Sequence, residues 1–365
     1  MVPVPAGEGD FMSAPVVVDY RDRELLQWLQ DEFAVTARPW LAGGMRLGMS
    51  EEEVLSRVRR LSAGGVIRSV HTILDKQKTG NGSSTLIAMR VPSEAIPDTV
   101  SIINEYPQVT HNYLREYPFN LWFTVNAADE SGLATTIDQI KRRTGVQDTG
   151  ILDLRTRRIF KTDVRFRFFK GAHITRTPRD FQRTSAAMDE TDRALLRITQ
   201  RAIPLAEEPF REIAAQLHIG QEEVQERLKR RIRDGTIKRI GGSVSQRKLG
   251  ITANAVVAWN VHDDLVEGAG KRLSLLDEVT HCYERTTVPG VWEYNLFTVL
   301  HGNSREWVET FAKTLSSMTC IDDYRVIFSS QQFKRTSMIH ELYEYPGTDK
   351  EQQDEKNGSW SGAEP

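Results

Sequence analysis

Cysteine is almost missing from this chain: Cys282 and Cys320 are the two in 365 residues. A disulfide framework and a cysteine-rich metal site are therefore both out of reach. Long apolar runs are missing too, and no segment has the ~20 residues that a membrane-spanning helix needs. The start, Met1-Val-Pro-Val-Pro-Ala-Gly-Glu, lacks the basic and apolar stretches of a secretory signal, so the expected location is the cytoplasm. Net charge is small, −2, and by itself selects no class of charged partner. Its distribution is uneven. Between Arg155 and Arg183 stand ten Lys or Arg against Asp163 and Asp180. Such a block either attracts an anion, nucleic acid or a polycarboxylate, or solvates a strand and linker.

What the chain does have is a copy of itself. Asp22 to Tyr113 lies on Asp192 to Tyr283 at a constant offset of 170 residues. Asp22/Asp192, Arg23/Arg193, Leu25/Leu195, Leu26/Leu196, Pro39/Pro209, Gly65/Gly235, Ile67/Ile237 and Gly80/Gly250 fall in that register, as do Thr110-His111-x-Tyr113 and Thr280-His281-x-Tyr283. A repeat of this length is a duplicated pair of domains, and the chain reads as a covalent dimer.

Each copy opens with a helical pattern. Leu25, Leu26, Leu29 and Phe33 mark one buried face, Pro39 suits the first turn of a second helix, and Ser50-x-x-Glu53 reads as a capping box for a third, with Val54, Val58 and Leu61 inward. The second copy runs Leu195, Leu196, Ile198, then Phe210 to Leu217, then Val224, Leu228, Ile232. Glycines at 64, 65 and 235 end the third helices, and a hairpin is expected to follow, giving a winged helix-turn-helix. The period then changes to strand, helix, two strands, helix, strand, the βαββαβ order of a ferredoxin-like sheet. The expected class is α+β, a tandem duplication forming a pseudo-dimer. Its expected parts are a disordered 1–18, a winged helix at 19–80, a ferredoxin-like domain at 81–170, a linker at 171–187, the second winged helix at 188–250, the second sheet domain at 251–345 and a disordered 346–365.

The head motifs Asp192-Arg193-x-Leu195-Leu196, Leu217-His-Ile-Gly220 and Val224-x-x-Arg227 followed by Gly235-x-Ile237 resemble the leucine-responsive transcription regulators. That resemblance implies DNA binding through the third helix. The leading residues of that helix are Glu51, Glu52 and Glu53 in one copy and Gln221, Glu222 and Glu223 in the other, and carboxylates repel phosphates. Arg227, Lys229, Arg230, Arg231 and Arg233 stand further along. Nucleic acid is not the expected partner.

The sheets carry a trio that a plain regulator does not need. In Val109-Thr-His111-Asn-Tyr113-Leu-Arg115 and Val279-Thr-His281-Cys-Tyr283-Glu-Arg285, strict alternation puts Val, His, Tyr and Arg on one face. With Asn120-Leu-Trp-Phe-Thr-Val and Tyr294-Asn-Leu-Phe-Thr-Val, these strands resemble the siroheme decarboxylases over about Tyr20 to Tyr345, in the form of a D-type and an L-type subunit fused in one chain. The resemblance implies siroheme as substrate, loss of carbon dioxide from the acetates of rings C and D to give didecarboxysiroheme, and a place in heme d1 or alternative heme biosynthesis. It implies a carboxy-lyase with no added cofactor, because the conjugated macrocycle accepts the electrons. His111 and His281 suit proton transfer, and an axial-ligand role of either toward the substrate iron is the competing assignment. Arg115 and Arg285 suit bidentate carboxylate binding, and Tyr113 and Tyr283 suit donation or stacking. A fused regulator with a sensing sheet is the alternative, and further copies or related subunits are conceivable partners.

Other residues read as structural: His71, His173, His218, His262, His301, His340, and the packing aromatics Trp122, Trp292 and Phe297. Arg155, Arg157 and Arg158 are candidates for the propionates or for a solvated edge. The copies differ after Tyr113 and Tyr283, where the second has five extra residues before Asn295, including Pro289-Gly290. That loop is expected to cover one substrate face and to make the two sites unequal.

Overall fold

The computed structural model describes residues 17–75, 78, 82–169 and 187–335. Gly80, Lys170, His173, Arg176, Arg179, Arg183, His340, most of the expected amino-terminal segment and linker, and the whole expected tail lie outside them. The first copy consists of α1 (Tyr20–Asp31), α2 (Pro39–Leu47), α3 (Glu51–Ala63), β1 (Ile67–Leu74), β2 (Ser83–Met89), α4 (Ile96–Asn104), β3 (Val109–Arg115), β4 (Leu121–Ala127), α5 (Glu130–Thr144) and β5 (Ile151–Thr162). The second repeats it with α6 (Glu190–Thr199), α7 (Pro209–Leu217), α8 (Gln221–Arg233), β6 (Ile237–Val244), β7 (Ala253–Trp259), α9 (Asp263–Ser274), β8 (Val279–Arg285), β9 (Leu296–Gly302), α10 (Arg305–Thr319) and β10 (Tyr324–Arg335). Among the described residues no helix is long and apolar enough to cross a membrane.

The helical heads follow the apolar spacing. Leu25, Leu26, Val54, Val58 and Leu61 meet Leu195, Leu196, Val224 and Leu228 in one core shared by both copies. Capping boxes start α1 and α6, where Asp19 and Asp189 accept from the amides of Asp22 and Asp192, whose side chains bond back to the cap amides. At α3 half of the expected box forms: Ser50 accepts from the Glu53 amide, while the Glu53 carboxylate takes Arg57. The hairpin after the third helix also differs. Each copy contributes a single strand, and β1 pairs antiparallel with β6 in one ribbon, Val70 against Gly242 and His71 against Gly241. Glycine is required there: a Cβ on Gly242 would lie 2.7 Å from Leu29 of α1. The ribbon thus lies on α1 instead of standing out as a wing.

The remaining strands close one barrel in the order β10-β3-β4-β2-β5-β8-β9-β7. Within each copy β3-β4-β2-β5 and β8-β9-β7-β10 have the ferredoxin-like order. Helices α4 and α5 cover one sheet through Ile87, Val109, Phe123 and Ile137, and α9 and α10 cover the other through Val257, Val279, Leu300 and Leu315. Trp122, Leu152, Leu154, Ala258, Trp292, Phe297 and Ile327 fill the interior. The closing strands span both sheets. Ile151 to Arg155 of β5 pair with β2, and Thr156 to Thr162 pair with β8. Likewise Tyr324 to Phe328 of β10 pair with β7, and Ser329 to Arg335 with β3.

Candidate active site

The His-Tyr-Arg trio of each copy lies on the seam where that copy meets the other. His111, Tyr113 and Arg115 of β3 stand opposite Arg335, Gln332 and Ser329 of β10. His281, Tyr283 and Arg285 of β8 stand opposite Thr162, Ile159 and Thr156 of β5.

Strict alternation placed Val109 and Val279 on the same face as the trios, and the structure corrects this. Val109 pairs with Val125 and Val279 with Leu300, both in the helix-covered cores, whereas His111 pairs with Thr124 and His281 with Val299. Thr110 and Thr280 are extra residues in the ladder. Such a bulge reverses the facing of every residue after it. The valines therefore turn to the helices and the trios to the barrel side, where Tyr113 pairs with Trp122 and Tyr283 with Phe297.

Within each trio the rings run nearly parallel, His111 to Tyr113 at 6.2 Å and 25°, His281 to Tyr283 at 5.9 Å and 22°. All four rings are half-buried. The arginines go deeper, 7% and 5% exposed. Arg115 donates to the Ile327 carbonyl (3.2 Å) and lies over Tyr113 and Trp122. Arg285 donates to the Leu154 carbonyl and Thr156 Oγ1, each at 3.0 Å, and lies over Tyr283 and Phe297. Neither Nε has a hydrogen-bond partner, and among the described residues no carboxylate pairs with either guanidinium. Burial pushes both down to about 10, so both stay charged near neutral pH. Burial pushes the Tyr283 phenol up to about 12, which keeps it a donor. Two buried cations with spare donors beside half-buried aromatic rings have the chemistry that suits carboxylates.

Thr110 and Thr280, absent from the candidate trio, touch its histidines. Thr110 Oγ1 is 2.9 Å from His111 Nδ1 and Thr280 Oγ1 is 3.0 Å from His281 Nδ1. Their repetition beside each histidine was the available signal. The motif asparagines are structural: Asn120 and Asn295 each clamp the backbone of Val91 or Val261 through both amide ends. Trp292, from the five-residue insertion, is turned into the barrel against Tyr117, Trp122, Tyr294 and Phe297. That places the tryptophan inside the fold and leaves Pro289 and Gly290 exposed.

Within the described part of the basic block, several residues have acidic partners. Arg155 pairs with Glu130 and Asp153, Arg158 with Glu267 and Glu284, and Arg165 and Arg167 with Asp31. In the heads, Arg57 and Arg60 of α3 converge on buried Asp22, and Arg227, Arg230 and Arg231 of α8 on buried Asp192. These five third-helix arginines are ion-paired within their own heads, Arg60 and Arg230 with their side chains still partly exposed. Of the remaining histidines, His71 bonds Ser69, His218 caps α7, His262 faces Asp264 and His301 packs on Phe166. Both described cysteines are free thiols.

Residues 22–68 and 192–237 match the siroheme decarboxylase NirDL-like helix-turn-helix domain, and 78–161 and 248–334 match the AsnC-like ligand binding domain. A siroheme decarboxylase of Hydrogenobacter thermophilus is 31% identical over 86% of this chain and 92% of its own length. The crystal structure of the siroheme decarboxylase NirDL in complex with an iron-uroporphyrin III analogue superposes with a TM-score of 0.64 at 28% identity, covering 88% of this chain and 94% of that one. The beta subunit of siroheme decarboxylase from Methanosarcina barkeri is 43% identical over 41% of this chain and 99% of its own length, so a comparable unit also occurs as a separate polypeptide.

Proposed function

Because the chain belongs to the siroheme decarboxylase family, we propose that it is a carboxy-lyase that removes carbon dioxide from the acetates on rings C and D of siroheme, giving didecarboxysiroheme. The observation that carries this reading is the pair of buried arginines, Arg115 and Arg285, with no carboxylate partner among the described residues, each beside a half-buried His-Tyr pair. A DNA-binding regulator has no use for that arrangement, and the ion-paired arginines of α3 and α8 favour it no further.

In each step the bond between the methylene and the carboxylate carbon breaks, the electron pair enters the conjugated ring, carbon dioxide departs and the methylene takes up one proton to become a methyl group. The macrocycle acts as electron sink, which removes the need for pyridoxal or thiamine. Protein groups supply placement and the proton. Arg115 and Arg285 bind acetate or propionate carboxylates through their spare donors. Tyr113 and Tyr283 donate to carboxylates or lie against the ring edge. His111 and His281 are both essential, and an unperturbed imidazole, with a pKa of ~6.5, gives and regains a proton near neutral pH. Ligation of the substrate iron by one of them is the competing role. The reaction belongs in the cytoplasm, within one pseudo-dimeric chain.

Anaerobic incubation of the purified protein with siroheme, followed by mass spectrometry, should show loss of two carbon dioxide units. His111→Ala and His281→Ala should each abolish turnover without changing the circular dichroism. An unaltered mass despite tight binding, or full activity of either variant, overturns this reading.

A further inference from the structure

The two arginines stand at equivalent places on the two seams, Arg285 opposite Thr156 and Arg115 opposite Ser329. Only one of these seams closes on itself. Thr156 Oγ1 accepts from Arg285 at 3.0 Å and lies 3.3 Å from Ser84 Oγ, so the guanidinium and both hydroxyls form one chain. In the other seam Ser329 takes the place of Thr156 and Asn254 that of Ser84, since Ser84 pairs with Asn126 and Asn254 with His301 at matching points of the two sheets. There the chain is missing. Arg115 Nε, Ser329 Oγ and Asn254 Oδ1 are buried and have no hydrogen-bond partner among the described residues. Arg285 Nε is also unpartnered, but the hydroxyl opposite it is already engaged.

Buried polar atoms without partners are rare in a native fold, because each carries a desolvation penalty. Here three of them sit on β7, β10 and β3, which are adjacent in the barrel. Serine lacks the branch that fixes the rotamer of Thr156, so its hydroxyl is free to turn toward a guest. A water molecule would fill such a place but leave the guanidinium charge uncompensated. A carboxylate meets both needs, with one edge on the guanidinium and an oxygen on the hydroxyl.

The chemistry then selects which carboxylate. When a carboxylate departs as carbon dioxide, its negative charge moves into the ring. Donors fixed on it stabilise the ground state more than the transition state and slow the reaction. A cation with an added hydroxyl donor is therefore suited to a carboxylate that stays. Among those, a propionate has one methylene more than an acetate and reaches further toward a side chain that is 7% exposed. We propose that Arg115 and Ser329 bind a propionate that the reaction leaves in place, and that Asn254, by not engaging the serine as Ser84 engages Thr156, keeps this subsite available. The proposal rests on the decarboxylase reading above and deepens it: the retained propionate fixes the rotation of the macrocycle, and so which acetates meet the histidines.

The test is an absorbance titration of the full chain with iron coproporphyrin III, which has four propionates and no acetate, and with iron uroporphyrin III, which has both. Ser329→Ala should weaken binding of each by about tenfold, the scale of a hydrogen bond to a charged group, without lowering the urea midpoint. Thr156→Ala should leave both affinities within about twofold. Should Ser329→Ala lower the midpoint, the exchange Asn254→Ser with Ser329→Thr carries the test: it copies the other seam and should weaken both ligands. Unchanged affinity in a folded variant overturns the proposal, and so does weakening confined to iron uroporphyrin III, which would place an acetate in the subsite. If neither porphyrin binds the unaltered chain, the decarboxylase reading fails too; if both bind it and Ser329→Ala equally well, only the subsite fails.

Discussion

A buried guanidinium inside an aromatic barrel, with no carboxylate partner among the described residues, costs the protein stability, and under the proposed function that cost is offset when a carboxylate binds. Arg115→Met should therefore raise the stability of the unliganded chain, by about 1–4 kcal/mol as when buried charges are replaced by apolar side chains, while sharply weakening binding of an iron porphyrin. Urea unfolding and a porphyrin titration measure the two effects, and a loss of stability with binding intact would contradict the assignment. His71 gives a second residue-scale prediction. Burial, aided by Arg239, pushes it from 6.5 down to about 4. The unfolded chain then binds a proton below pH ~6.5 that the folded one refuses. Stability held above that value is lost as pH falls toward 4, by up to about 3 kcal/mol, and His71→Gln should flatten this part of the urea-midpoint profile. At this scale the sequence was informative about types and poor about surroundings. The repeated His, Tyr and Arg were legible because they recur in register. The cross-seam residues opposite them come from the other copy, at sequence separations that no local pattern encodes.

Secondary elements were legible wherever a period governs them. The apolar spacing of α1, α3, α6 and α8 and the alternation of β4 and β9 follow directly from which face is buried. Bulges escape such reasoning, since Thr110 and Thr280 are ordinary strand residues until the ladder is seen to skip them. The ribbon of β1 and β6 escaped too, because two separated strands that pair with each other look locally like two half-hairpins. The five-residue insertion after β8 was visible as a length difference, but its effect depends on one side chain. Trp292 is 1% exposed and stacks on Phe297. Trp292→Ala should cost about 3–5 kcal/mol, as for other fully buried aromatics, in thermal or urea unfolding. A change below 1 kcal/mol would mean that the loop does not anchor the interior.

For the whole molecule, the seams predict mutual dependence of the copies. A chain divided within residues 170–186 and produced as two polypeptides should assemble one-to-one, because β5 and β10 each complete the sheet of the other copy. Neither piece alone should bind an iron porphyrin, since each trio lies opposite a strand from its neighbour. Size-exclusion chromatography and absorbance titration check both statements, and a lone half that binds as tightly as the intact chain would refute them. The existence of a separate beta subunit similar to less than half of this chain shows that such units need no covalent link to be made.

The twelve-residue length of β5 and β10 bears on manufacture as well as on catalysis. A strand whose second half completes a foreign sheet will complete that sheet in any copy it meets, so two chains folding at high concentration are prone to exchange halves. Tethering turns the correct encounter into an intramolecular one at an effective concentration of about a millimolar. The fusion thereby biases a reciprocal exchange of strands toward self-closure.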